Sequence, residues 1–71
     1  MTRVELLRQI RAAARARGLD VRLVRQGSDH ELWEAGSVRF PVPRHRELTV
    51  GVEQAIKRQL EQVFGRNWWR A

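Results

Sequence analysis

Seventy-one residues carry 14 Lys+Arg against 8 Asp+Glu, two histidines, no cysteine and 42% apolar side chains. A chain this short buries only about 60% of the surface its unfolded form exposes, so one domain spanning residues 1–71 is expected, with no room for a second and no disulfide to staple it. Absent thiols and two isolated histidines give no recognisable zinc or iron ligand spacing, and neither a metal nor a small-molecule cofactor is expected.

The net charge of +6 is almost entirely guanidinium, since Lys57 is the one lysine. A polyanion is the natural partner, with nucleic acid a better fit than an anionic membrane surface. The longest uninterrupted apolar run is Ala12, Ala13, Ala14. That falls far short of the roughly 20 residues of a bilayer span or the roughly 7–15 of a signal sequence, so no membrane association and a cytoplasmic location are expected. Residues 1–26 hold a charge of +5, residues 27–46 hold 0 and residues 47–71 hold +1, which concentrates the basic character in the first third.

Thr2 followed by Glu5 is a capping-box pattern, and Leu6, Leu7, Ile10, Ala13 and Ala14 then recur at helical spacing, with Arg8, Arg11 and Arg15 on the far side. This predicts a helix over 3–17, stopped by Gly18. From Leu19 the period becomes two: Leu19, Val21 and Leu23 share one face of a strand, and Gly27, Ser28 and Asp29 break it. A second strand over His30 to Glu34, a turn at Ala35-Gly36 and a third strand through Val38, Phe40 and Val42 complete an antiparallel meander. Pro41 and Pro43 require this last strand to end or to lie at an edge. Thr49 caps a second helix whose stripe is Val52, Ile56, Leu60, Val63 and Phe64, ended by Gly65. The order is αβββα, an α+β fold with both helices on one face of a three-stranded sheet and the other face open.

Two segments carry potential chemistry. The turn Gly27-Ser28-Asp29 presents His30 at the mouth of a hairpin, where an imidazole can serve as general acid or base, or simply as a surface hydrogen-bonding group. Phe40-Pro41-Val42-Pro43-Arg44-His45-Arg46-Glu47 leads from a rigid extended strand into a cationic loop. Its Arg44, His45 and Arg46 either grip phosphates or form a solvated connection.

These motifs, in this order, resemble the HicA family of toxin–antitoxin ribonucleases: Val24-Arg25-Gln26-Gly27-Ser28, His30, Val42-Pro43-Arg44-His45-Arg46-Glu47, and Ala55-Ile56-Lys57 with Leu60. The match covers nearly the whole chain, and the terminal Gly-Arg-Asn-Trp-Trp-Arg is similar to that of a subgroup of the family. The resemblance implies a double-stranded-RNA-binding-domain-like fold, a metal-independent mRNA endonuclease activity deployed in stress, and inhibition by a HicB-type antitoxin protein. It puts the catalytic histidine on His30 and the turn glycine on Gly27. Many members have serine directly before the histidine, whereas here Asp29 stands there and Ser28 one place earlier. A carboxylate beside the imidazole either orients the ring or repels the incoming phosphate.

In a ribonuclease of this kind the 2′-hydroxyl attacks the adjacent phosphate. His30 moves the proton and arginines neutralise the charge gathering on the non-bridging oxygens. The RNA-binding set is then Gly27, Ser28, Arg44, His45 and Arg46, with Lys57 and Arg58 from the second helix, while Arg8, Arg11 and Arg15 either track the RNA backbone or form a solvated face. Trp68 and Trp69 either stack on bases or complete the core and meet a partner, the second being favoured in so small a domain. Two other functions remain compatible with the sequence: a non-catalytic RNA-binding module of the same fold, and an interaction protein whose open sheet face binds another chain.

Overall fold

A computed structural model describes residues 1–70. The elements are α1 (Arg3–Ala16), β1 (Val21–Gln26), β2 (His30–Ala35), β3 (Val38–Pro43), α2 (Val50–Gln59) and α3 (Glu61–Phe64). The strands form one antiparallel sheet in the order β1-β2-β3, so the predicted α+β meander with helices at either end is what forms.

The start of α1 is a complete capping box, with Glu5 N–H donating to Thr2 Oγ1 at 3.1 Å and Thr2 N–H to Glu5 Oε1 at 2.9 Å. Hydrogen bonding to the carboxylate by the Thr2 backbone N–H first, and then by the Thr2 side chain, favours the ionised form and holds the Glu5 carboxyl below its ordinary value of 4.5. Its end is a Schellman motif: Gly18 takes the left-handed conformation at φ 67° and donates to the Arg15 carbonyl, and Leu19 N–H donates to the Ala14 carbonyl at 2.9 Å. That second bond corrects the expected strand start. Leu19 is committed to closing the helix, and β1 begins at Val21.

The inward residues of the sheet are Trp33 and Ala35 from β2 and Val38, Phe40 and Val42 from β3. All are buried, in one cluster with Leu6, Leu7, Ile10 and Ala14 of α1 and Ile56, Leu60 and Phe64 of the C-terminal helices. Both main helices therefore cover the same side of the sheet. On the opposite side Glu34 lies between Arg22 at 2.9 Å and Arg39 at 3.1 Å, and these hydrogen bonds, Arg39's first, pull its carboxyl below the usual carboxylate range.

The expected single C-terminal helix is divided at Leu60, which stays fully buried and ends α2 as α3 begins. After Gly65 the chain turns back through Asn67, at φ 55°, whose N–H donates to Glu61 Oε2 at 2.9 Å. This return lays Trp68 edge-on against Phe64, with 5.0 Å between ring centroids, and its indole N–H donates to the Lys57 carbonyl at 2.7 Å. Trp69 follows edge-on against Trp68. Among the described residues no helix is long and apolar enough to cross a membrane.

Candidate functional site

The first and last residues that shape the site are glycine and arginine. Gly27 N–H donates to the His30 carbonyl at 3.0 Å and closes the β1–β2 turn. A Cβ at Gly27 would lie 2.8 Å from that carbonyl oxygen, too close for any side chain, so the turn requires glycine by proximity. Arg44 then ties the turn to the end of β3: its backbone N–H donates to the Asp29 carbonyl at 3.0 Å, and its guanidinium Nη1 donates to the Gly27 carbonyl at 3.1 Å. Arg44 is therefore partly committed to holding the turn, while its remaining donors stay exposed.

His30 opens β2 on the helix-free side of the sheet, opposite Pro43. It is exposed and stands where two concavities meet. One, of about 310 Å³, is polar and formed by Arg25, the Gly27–Asp29 turn, Glu31, Leu32 and Pro41. The other, of about 520 Å³, is a mainly apolar groove between β3 and α2, walled by Pro41, Pro43, Val52, Ala55 and Ile56, with His45 and Gln59 at its margin.

The loop carrying His45 and Arg46 is fixed by the start of the chain. Arg3 N–H donates to the Arg46 carbonyl at 2.9 Å, and Leu48 N–H to the Met1 carbonyl at 3.0 Å. His45, Arg44 and Arg46 share a shallow hollow with Arg3 and Glu31. Glu31 points inward and is only 7% exposed; it pairs with Arg3 and accepts from Trp33 Nε1 at 3.1 Å. Its charge is thus neutralised at the floor of the polar concavity, whose other acid is Asp29.

Of the expected RNA-contacting residues, Gly27, Ser28, His30 and His45 line the two concavities, and Arg44 and Arg46 border them. Lys57 and Arg58 are not brought there. Lys57 is 5% exposed, with its ammonium 2.7 Å from Glu53 and over the Trp69 ring, so packing consumes it. Arg58 lines neither concavity; it is exposed in an adjoining hollow of α2 with Gly51, Gln54 and Gln62 that shares Ala55 and Gln59 with the groove. Arg8 and Arg15 are exposed on the helix layer, across the sheet from His30, and Arg11 lies over the Trp33 ring at 5.3 Å.

Arg25 is the site residue that periodicity misses. Alternation from Val21 and Leu23 places it on the helix side. Instead the pairing runs Leu23↔Trp33 and then Arg25↔Leu32, leaving Val24 as the extra residue of a β-bulge. The bulge reverses the facing of the strand beyond Val24, and paired residues share a face. Arg25 therefore joins Leu32 and His30 on the open side. A buried arginine opposite Glu31 would have been the cost of a regular ladder. Among the described residues no group of three or more His, Cys, Asp or Glu side chains is arranged to hold a metal ion. No protein-family model, curated protein or solved structure matches the chain, so the functional reading rests on the motifs and on this geometry.

Proposed function

We propose that the protein is an mRNA endoribonuclease of the HicA kind, a toxin with a double-stranded-RNA-binding-domain-like αβββα fold that works in the cytoplasm without a metal and is silenced by a HicB-type antitoxin. The observation that carries this reading is the position of His30: exposed, on a turn pinned by Gly27 and Arg44, and at the junction of a polar concavity with an apolar groove. A phosphodiester lying over His30 meets Arg25 and Ser28 on one side and His45 on the other.

In the reaction the ribose 2′-oxygen attacks the adjacent phosphorus, its proton passes to His30, and the bond from phosphorus to the 5′-oxygen breaks. The departing oxygen takes a proton, for which His45 is the second imidazole of the groove. The products are a 2′,3′-cyclic phosphate and a 5′-hydroxyl. Arg25 and the free donors of Arg44 offset the negative charge that grows on the non-bridging oxygens.

One observation favours the non-catalytic RNA-binding reading: among the described residues no side chain hydrogen-bonds the His30 imidazole to orient it. Controlled expression separates the two. The catalytic reading predicts growth arrest and RNA fragmentation with the parent chain and neither with His30→Ala. RNA binding without fragmentation in the parent selects the binding module, and arrest unchanged in His30→Ala removes His30 from the chemistry.

A further inference from the structure

We infer that the groove between β3 and α2 holds an unpaired nucleobase of the RNA, and that it selects adenine and cytosine, which carry an amino group where uracil and guanine carry a carbonyl. The inference rests on the ribonuclease reading, since it names what that reading leaves open: how the substrate is held on the side of His30 away from the arginines.

The two concavities are chemically unlike and share Asp29, His30 and Pro41 as their common wall. A nucleotide has the same division, an anionic phosphate at one end and a flat, largely apolar base at the other, joined through the sugar that carries the reacting hydroxyl. With the phosphate beside Arg25 and the turn, the sugar crosses His30 and the base enters the groove. At about 520 Å³ the groove lies within the roughly 300–1,000 Å³ usual for ligand pockets, and its prolines and aliphatic side chains offer the surface on which an unstacked base packs. A base held in a duplex cannot reach it, so the substrate is single-stranded at this nucleotide.

The polar margin sets the choice of base. Gln59 Nε2 donates to the Arg39 carbonyl at 2.8 Å, covering a backbone acceptor on the open edge of β3. That bond fixes the amide and leaves its oxygen as an acceptor at the groove's margin. Adenine and cytosine present an amino donor, whereas uracil presents a carbonyl acceptor at the corresponding position. Charge agrees with a nucleotide that carries this base: Arg25 lines the adjoining polar concavity and Arg44 and Arg46 the hollow that shares His45 with the groove, against Asp29 and an Arg3-paired Glu31.

The test measures binding of the full chain to 2′-O-methyl oligo(A), oligo(C) and oligo(U), which lack the attacking hydroxyl, alongside cleavage of the unmodified RNAs. Oligo(A) and oligo(C) should bind roughly tenfold more tightly than oligo(U). Ala55→Trp, which fills the groove from an exposed helix position, should remove that advantage, as should Gln59→Met, which deletes the acceptor at similar volume. Circular dichroism and thermal melting check that both variants remain folded. Equal affinity for all three RNAs, or an unchanged preference in folded Ala55→Trp, overturns the groove assignment, and cleavage by the parent in that case leaves the ribonuclease reading intact. Base-selective binding without cleavage retains the groove and removes the catalysis. Self-association abolished by Ala55→Trp with RNA affinity unchanged assigns the groove to a second copy of the chain and overturns the inference.

Discussion

Gly27 and Arg44 illustrate how few atoms fix the candidate site. One donates a backbone N–H into the turn, and the other grips the turn from the far strand with backbone and guanidinium donors. A methyl group at Gly27 would meet the His30 carbonyl at 2.8 Å, and that partner is backbone, which cannot swing aside. Gly27→Ala is therefore expected to cost about 1–3 kcal/mol and to displace His30. Cleavage rate should fall more steeply than thermal stability accounts for, measured by assaying well below the melting transition. The glycine, Ser28 and His30 were readable in the sequence because turn chemistry is local. Lys57 was not: it follows Ile56 on the buried side of α2, and its burial depends on Glu53 and on a tryptophan tail that folds back from beyond Gly65.

At the scale of the elements, local signals set the boundaries well. The capping box, Gly18 and Thr49 mark helix ends where the structure has them, with Thr49 Oγ1 accepting from Val52 N–H at 3.2 Å. Pro41 and Pro43 fall on an edge strand, where missing N–H groups cost no ladder bond. The failures are the places where two elements compete for one residue, as Leu19 shows by closing α1, or where pairing slips, as at Val24. A bulge leaves no periodic trace because it is decided by what lies opposite, here Trp33 and Glu31 facing the helices. Its consequence is measurable. Arg25→Ala should weaken binding of single-stranded RNA and reduce the slope of log affinity against log salt by about 0.7, the contribution of one phosphate contact, without lowering the melting temperature. Arg8→Ala, on the helix layer across the sheet, should change neither.

For the whole molecule, a domain of this length has only about 4–10 kcal/mol of stability, so one large side chain decides a considerable share. Trp68 packs on the shared core, edge-on against Phe64, and its indole is hydrogen-bonded to the Lys57 carbonyl. Trp68→Ala should cost about 2–3 kcal/mol and lower the melting temperature by roughly 10–20 °C, read by thermal circular dichroism. The tail thus finishes the core, in line with the packing role favoured from its composition. The distribution of charge takes a different form from the sequence totals. The +5 of residues 1–26 divides between arginines on the helix layer and Arg22 and Arg25 on the other side of the sheet, and the bulge makes Arg25 the member that reaches His30's polar concavity. The central claim is chemical, and the ends of the RNA fragments test it most directly. Purified protein incubated with single-stranded RNA in the presence of a chelator is predicted to yield 2′,3′-cyclic phosphate and 5′-hydroxyl ends, and folded His30→Ala to yield no fragments. Fragments bearing 3′-hydroxyl ends, or undiminished cleavage by His30→Ala, would contradict it.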